Sequence, residues 1–196
     1  IEFIQDAAVR VDPECNAVET QNYGAVPYDY LVISTGMQMS FNVVENLHPE
    51  KGFVENIVIP KYSERAAQKF NELVKDPGPV VVGATQGASC MGAAYEYLFN
   101  MDKELRRNKV RDKVTLTWFT PEPFLGHFGI GGITGGQTML ETFMKMYNIK
   151  WYTNASIEKI EKENIHLKDG TVLPYKMAMV MPPFEGTVAM KNSKEL

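Results

Sequence analysis

The sequence predicts an α/β fold built on a parallel, doubly wound sheet in a three-layer domain. From Val80 onward, short apolar segments alternate with amphipathic ones in the order β-α-β-α-β, followed by a β-meander and a last strand. The strand segments are continuously apolar, as in Val80-Val81-Val82, which is typical of strands buried on both faces. These two patterns together favour helices packed against a buried parallel sheet.

Local patterns place the individual elements. Ser63 is the predicted N-cap of a first helix that ends at Asp76. Two further helices are predicted from Ala88 to about Asn108 and from Thr134 to Tyr147. The predicted strands are 9–12, 17–20, 28–34, 80–82, 114–120, 149–152, 156–160, 165–167, 171–173 and 177–181.

Composition excludes several classes of function. The chain has 196 residues, with 20 Lys and Arg against 24 Asp and Glu, so its net charge is −4. An acidic chain argues against nucleic acid as a partner. No apolar run reaches the ~18 residues of a membrane-spanning helix, and no cluster predicts a metal site. We therefore expect a soluble chain, and its start without Met suggests a processed or truncated product.

A glycine-containing turn lies between a buried strand and a helix, where Rossmann-type domains carry the fingerprint G-x-G-x-x-G. Gly83 stands at the first position, where it is expected to form the sharp turn, Thr85 at the second and Ala88 at the third. A β-branched side chain at the second position blocks the approach of a pyrophosphate to the backbone. The sequence therefore predicts a Rossmann-like domain that binds no nicotinamide nucleotide.

The two cysteines have different predicted surroundings. Cys90 is expected in the first turn of the helix that follows the glycine turn, where the helix N-terminus favours a thiolate. A small buried apolar side chain is the alternative for Cys90. Cys15 lies in a polar turn and is expected to be a bystander. The basic residues after this helix are interpreted as a solvated helix end: Lys103, Arg106, Arg107, Lys109, Arg111 and Lys113.

Five segments resemble the sulfide:quinone oxidoreductase family, within the FAD-dependent pyridine nucleotide-disulfide oxidoreductases. The most specific is 78–96, GPVVVGATQGASCMGAAYE. In the same order along the chain, the others are 28–36, 111–114, 120–127 and 181–186. The Thr35-Gly36 strand end is shared more widely, by flavoproteins with two dinucleotide-binding domains. The resemblance covers almost the whole chain.

The resemblance implies a central part of a longer protein. Residues 1–36 correspond to the short β remnant of an FAD-binding domain, 37–60 to a linker, 61–186 to a second Rossmann-like domain with a β-meander, and 187–196 to a tail. Family members bind FAD and dock on a membrane surface through a segment that this chain lacks. We therefore expect FAD in the intact protein, at the surface of a prokaryotic inner membrane, and no cofactor in this chain alone.

The resemblance also implies roles for individual residues. The family oxidises sulfide at a cysteine pair and passes two electrons to FAD and then to quinone, so sulfide and quinone are the implied partners. Cys90 matches one cysteine of that pair, whose second member would lie beyond Leu196. Glu96 and His127 match residues implied in proton transfer, although a surface carboxylate and a backbone-bonded loop histidine are equally compatible with their positions. Thr35 and Gly36 match positions near FAD.

Two departures from the family pattern leave more than one function open. Val58 stands where many members have a third cysteine, and Tyr62 where they have a histidine. Such a pattern is compatible with two-cysteine relatives such as flavocytochrome c sulfide dehydrogenase. The chain is also compatible with the nucleotide-binding domain of an NADH:quinone or NADH:disulfide reductase, against which Thr85 argues, and with a non-enzymatic assembly module.

Overall fold

The computed structural model describes all 196 residues, which divide into two compact units. The central unit is Ser40–Pro183, and the terminal unit combines Ile1–Met39 with Phe184–Leu196. The helices are α1 (Pro60–Lys75), α2 (Met91–Arg107), α3 (Gly136–Met146) and α4 (Val188–Asn192). The strands are β1 (Ala8–Asp12), β2 (Ala17–Thr20), β3 (Ala25–Pro27), β4 (Gln38–Met39), β5 (Val80–Ala84), β6 (Leu116–Phe119), β7 (Ile149–Tyr152), β8 (Ile157–Ile160), β9 (Asn164–Leu167), β10 (Val172–Pro174), β11 (Met177–Met181) and β12 (Phe184–Glu185).

A four-stranded parallel sheet forms the middle of the central unit. Its order is β11-β5-β6-β7, and every neighbouring pair is parallel. All residues of β5, β6 and β11 are buried, because layers of structure cover both faces. The chain order reverses between β5 and β11, so the carboxyl ends of these two strands flank a topological switch point.

Helices and the meander supply the two outer layers. Helix α2 packs against β5, α1 against β11 and α3 against β7. On the opposite face, the antiparallel sheet β10-β9-β8 shares a hydrophobic cluster with Val81, Phe119, Ala178 and Val180, since alternate strand residues point to opposite faces. The predicted fold class, a Rossmann-like three-layer α/β domain with a parallel sheet and a β-meander, is confirmed.

The terminal unit is small and mostly β. Strands β1, β2 and β3 form an antiparallel sheet, and β4 pairs antiparallel with β12. Helix α4 packs against β1, where the buried hydroxyl of Ser193 accepts a hydrogen bond from the Val11 N–H at 2.7 Å and donates to the Ala189 carbonyl at 2.6 Å.

The apolar run at residues 28–34 is not a buried strand, so this prediction was wrong. The structure assigns it no strand, and its side chains are largely exposed, with Tyr30 at 96% and Val32 at 87%. A parallel strand needs a neighbour to satisfy its backbone groups, and no strand of this chain pairs with this segment. The apolar composition of this segment predicted burial, but these side chains are exposed in this chain.

Helix α1 begins earlier than its predicted N-cap. Its N-cap residue is Ile59, and Pro60 is its first residue, where the fixed φ of proline suits the first turn. Ser63 lies inside that turn, and its hydroxyl donates hydrogen bonds to the carbonyls of Ile57 at 2.7 Å and Ile59 at 3.2 Å. Ser63 thus stabilises the backbone before the helix without being its cap.

The segment before α1 extends the edge of the parallel sheet. Glu55 forms a parallel β-bridge with Met179, through hydrogen bonds from the Glu55 N–H to the Ala178 carbonyl at 2.7 Å and from the Val180 N–H to the Glu55 carbonyl at 3.1 Å. Burial raises the pKa of the Glu55 carboxyl, and Arg65 Nε lies 3.0 Å from Glu55 Oε2. Residues 40–59 therefore belong to the central unit.

The basic residues at the end of α2 are partly structural. The buried carboxylate of Asp102 pairs with Arg106 and Arg111. Arg111 also donates hydrogen bonds to the carbonyls of Tyr147 at 2.6 Å and Asn148 at 3.0 Å. This arginine thus ties α2 to the end of α3. None of the helices combines the length and apolar character needed to cross a bilayer.

Candidate functional site

The turn between β5 and α2 differs in detail from its predicted geometry. Gly83 is a residue of β5, not of the turn. A Cβ at Gly83 would lie 2.4 Å from atoms of Phe119, its neighbour on β6, so this glycine permits close packing of the two strands. Gly87, with φ of +78°, supplies the left-handed residue that the turn requires.

Thr85 fills the switch point between the two strand ends. Its side chain is fully buried, its N–H donates to the Met181 carbonyl at 2.9 Å, and its hydroxyl lies 3.4 Å from the same oxygen. In open α/β sheets, ligands bind at the carboxyl ends of strands at this position. The absence of nicotinamide nucleotide binding therefore stays a prediction, resting on the buried Thr85.

Gln86 ties the turn to the meander. Its Nε2 donates to the Ile157 carbonyl at 3.2 Å, and its Oε1 accepts from the Ile157 N–H at 3.0 Å. These two bonds satisfy both backbone groups of a residue that begins β8 and is 1% exposed. The path of the chain from Thr85 toward α2 is thereby fixed by a side chain 71 positions from its partner.

Cys90 lies one residue ahead of α2, as its N-cap residue, and not in its first turn as predicted. The thiol is free and half-buried, and the side chain makes no capping hydrogen bond. The N-terminus of the 17-residue helix α2 favours negative charge at this position. Cys15, also free, is exposed in the turn after β1, and its N–H donates to Asp12 Oδ1 at 3.1 Å.

A buried polar cluster follows β6. The side chain of Glu122 is 4% exposed, and its Oε2 accepts hydrogen bonds from the hydroxyls of Tyr95 and Thr120, each at 2.8 Å. Its Oε1 accepts from the Phe128 N–H at 2.7 Å. Glu122 thus receives three hydrogen bonds from α2, from the end of β6 and from the loop that follows.

Tyr95 is the member of this cluster contributed by α2. Its ring stacks on Trp118 with centroids 4.1 Å apart, and its hydroxyl accepts a hydrogen bond from the Gly126 N–H at 3.2 Å. Burial, and next the neighbouring Glu122 carboxylate, raise the pKa of the Tyr95 hydroxyl well above its usual value. The phenol therefore stays protonated and donates to Glu122.

His127 lies in the loop that this cluster organises. The imidazole is half-buried and contacts Phe124 edge-on, with ring centroids 5.1 Å apart. Its Nδ1 accepts a hydrogen bond from the Gly129 N–H at 3.2 Å. Because Nδ1 is the acceptor, this geometry assigns the proton of the neutral ring to Nε2.

Cys90 and His127 lie on segments that leave the carboxyl edge of the parallel sheet, after β5 and β6 respectively. Met91, the residue after Cys90, has its Sδ 3.9 Å from the Thr120 hydroxyl, and Thr120 donates to Glu122. Glu96 does not join them. It is exposed on α2, about 9 Å along the helix axis from Cys90 and on another face, since six residues rotate through about 600°.

The two positions matched to an FAD site lie in the terminal unit. The Thr187 hydroxyl donates a hydrogen bond to the Thr35 hydroxyl at 3.1 Å, and both side chains lie at the surface of this unit. Nothing lies within 4 Å of the position that a Cβ of Gly36 would take. A ligand can therefore approach this backbone closely, which is compatible with a flavin nucleotide.

The two replaced positions lie before and within α1. The Val58 N–H donates to the side-chain oxygen of Asn56 at 2.9 Å. Tyr62 belongs to an aromatic cluster, with its ring centroid 5.9 Å from those of Phe41 and His48. Val58 therefore has a backbone contact, and Tyr62 packs against other aromatic rings.

The sequence gives little indication of the residues that hold the Cys90 turn and the His127 loop. Glu122 follows the strand too late to be a good candidate for binding a nucleotide ribose, and no local pattern gives Tyr95 or Gln86 a role. A glutamate between two prolines, three residues after the end of a buried strand, was the available signal for Glu122. The Gln86 contact leaves no such mark, because its partner is distant in the chain.

Comparison with known proteins decides the family. The chain is 38% identical to the sulfide-quinone reductase of Aquifex aeolicus over 193 residues, which cover 95% of this chain and 43% of that protein. The chain belongs to the sulfide:quinone oxidoreductase family. The mitochondrial sulfide:quinone oxidoreductase of Dictyostelium discoideum is 35% identical over 118 residues, 58% of this chain and 26% of its own length.

Solved structures agree with this assignment. The crystal structure of the Aquifex aeolicus sulfide:quinone oxidoreductase superposes with a TM-score of 0.88 at 35% identity, over 99% of this chain and 45% of that one. The NAD-dependent persulfide reductase of A. fulgidus, at 16% identity and a TM-score of 0.63 over 96% of this chain and 33% of that one, shares the fold alone. No family model matches the chain. The chain thus spans less than half the length of the Aquifex relative.

Proposed function

We propose that this chain is the part of a sulfide:quinone oxidoreductase that presents one of its two sulfur-carrying cysteines, Cys90. One observation supports this proposal above the others. Cys90 is a free, half-buried thiol at the start of α2, on a turn whose path is fixed by Gln86. A thiol held at a helix N-terminus with partial access to solvent is the microenvironment of reactive cysteines.

The reaction proposed for Cys90 is thiol–disulfide chemistry. In the oxidised protein, Cys90 and a second cysteine outside this chain share a disulfide. Sulfide attacks one sulfur, so one S–S bond forms as the original one breaks, leaving a persulfide on one cysteine and a thiolate on the other. The positive end of the α2 dipole stabilises the thiolate when it forms on Cys90.

His127 is proposed to assist through its Nε2. With Nδ1 engaged by the Gly129 N–H, Nε2 carries the proton of the neutral ring and donates a hydrogen bond to an anionic acceptor. Glu96, exposed and on another helix face, is left with the role of a surface carboxylate.

The cofactor proposed for the complete protein is FAD, with Thr35 and Gly36 among the residues that contact it. Bound FAD supplies the acceptor for the electron pair released when sulfide is oxidised, and quinone is the proposed final acceptor. The open space beside Gly36 supports this placement. Docking at a membrane surface is proposed for parts of the protein outside this chain.

The test is anaerobic reduction of the flavin in the complete protein that carries this chain. We expect sulfide to bleach the flavin absorbance of the wild type, Cys90→Ser to abolish this bleaching, and Cys15→Ser to leave it unchanged. Chemical reduction by dithionite should still bleach the flavin of Cys90→Ser. Sulfide-dependent bleaching that persists in Cys90→Ser would contradict the role proposed for this thiol.

A further inference from the structure

We infer that Glu122 is a positioning residue for His127, acting with Tyr95 through the loop backbone. This inference rests on the function proposed above and extends it to a buried carboxylate. Its starting point is that the residues on both sides of His127 are anchored to the same pair of side chains. The Phe128 N–H donates to Glu122, and the Gly126 N–H donates to the Tyr95 hydroxyl.

The loop around His127 has a backbone that needs such anchors. Phe128 has φ of +52°, in the left-handed region that residues with a side chain rarely adopt. The 2.7 Å hydrogen bond from its N–H to Glu122 Oε1 holds this conformation. Gly126 and Gly129 also have positive φ, so the loop without its anchors has many accessible conformations.

The cluster suits a group that accepts hydrogen bonds at both of its oxygens. An ionised carboxylate only accepts hydrogen bonds, and all three partners of Glu122 are donors: the hydroxyls of Tyr95 and Thr120 and the N–H of Phe128. A buried charge with this many donors is stabilised without a counter-cation. A methionine at this position offers no oxygen acceptor, so all three bonds are lost, whereas a glutamine could keep them because the two hydroxyls can turn and accept from its NH2 group.

The consequence for His127 follows from its tautomer. The Gly129 N–H reaches Nδ1 only if the loop keeps the backbone path set at Gly126 and Phe128. Loss of that path frees Nδ1 and lets the proton of the ring exchange between the two nitrogens. The Glu122 cluster thereby keeps the ring proton on Nε2, where it can be donated in a hydrogen bond.

The test is NMR of histidine labelled at ring carbon Cε1, in the complete protein that carries this chain. The signal of His127 is the one that His127→Gln removes. We expect Glu122→Met to shift or broaden this signal and to slow sulfide-dependent flavin reduction at least tenfold. The control Glu141→Met, which removes a half-buried carboxylate on α3 that accepts a hydrogen bond from Gln137, should do neither.

If Glu122→Met does not fold, Tyr95→Phe gives the same test, since it keeps the ring stacked on Trp118 and removes only the hydroxyl. A folded variant in which the His127 signal is unmoved overturns the inference. Failure of sulfide to reduce the wild-type flavin overturns the proposed function instead, and leaves the NMR result to decide the position of His127.

Discussion

The side-chain amide of Gln86 pairs with the peptide groups of Ile157 in both directions. Nε2 donates to the Ile157 carbonyl at 3.2 Å, and Oε1 accepts from its N–H at 3.0 Å. A side chain thus takes the place of a neighbouring strand at the start of β8. The contact couples the turn that carries Cys90 to the antiparallel layer of the domain.

Replacing Gln86 by alanine should destabilise the fold. The substitution leaves two backbone groups of a buried residue without partners, which costs about 1–3 kcal/mol of unfolding free energy. Denaturant unfolding of the chain measures this loss. Gln68→Ala, at an exposed position of α1, is the control and should change the unfolding free energy by less than about 0.5 kcal/mol. Equal effects of the two variants would exclude the role given to the Gln86 pair.

Alanine substitutions at two glycines near the turn should change the unfolding free energy in opposite directions. A Cβ at Gly83 meets Phe119 at 2.4 Å, whereas a Cβ at Gly92, in the first turn of α2, has no neighbour within 4 Å. We expect Gly83→Ala to lower the unfolding free energy by about 1–3 kcal/mol through overpacking. Gly92→Ala should raise it by about 0.5–1 kcal/mol, because alanine favours the helix. A tolerated Gly83→Ala would show that β5 and β6 are not in close contact there.

Tyr95 should make the stability of the chain sensitive to alkali. Its pKa is raised in the fold, first by burial and then by Glu122, so above the ordinary tyrosine pKa of about 10 the folded state retains a proton that the unfolded state loses. The stability from this group is present below that pH and is lost as the pH rises.

Unfolding free energies at about pH 8 and about pH 10.5, on either side of the ordinary tyrosine pKa, check this expectation. Tyr95→Phe should lose less stability between the two pH values than the wild type does. Tyr30→Phe, which changes a 96% exposed ring, should behave like the wild type. An unchanged pH dependence in Tyr95→Phe would mean that the phenol does not retain its proton in the fold.

Nicotinamide nucleotides should not bind this chain. The buried Thr85 occupies the switch point at which a pyrophosphate would approach the backbone. Titration with NADH, followed by nucleotide fluorescence, should give no saturable signal up to millimolar concentrations. Saturable binding would favour an NADH-dependent reductase instead.

The sheet and its helices were predictable because their patterns are local. Continuous apolarity in β5 and β11 marks strands buried on both faces, and α2 shows the helical spacing of Ala94, Leu98 and Leu105, which are all fully buried. The same logic failed at residues 28–34. An apolar run carries no information about whether a partner strand exists in the same chain.

The details of the candidate site depend on contacts between distant residues. Glu122 meets Tyr95, 27 positions earlier, and Gln86 meets Ile157, so no window of sequence contains both partners. Gly83 matched the fingerprint, yet its role became visible only with Phe119 packed against it. The role of Cys90 stays a prediction, which the sequence could make because the residues around Cys90 form one continuous and specific segment.

Trapping the sulfur on Cys90 is the most direct test of the central claim. The complete protein is treated with sulfide under anaerobic conditions, alkylated and digested, and the peptides carrying Cys90 and Cys15 are weighed by mass spectrometry. The account predicts an added sulfur atom on the Cys90 peptide and none on the Cys15 peptide. If the persulfide instead forms on the partner cysteine, the account predicts that it forms there only while Cys90 is intact. A persulfide that forms on the partner cysteine in Cys90→Ser as it does in the wild type, with sulfide-dependent flavin reduction preserved, would contradict it.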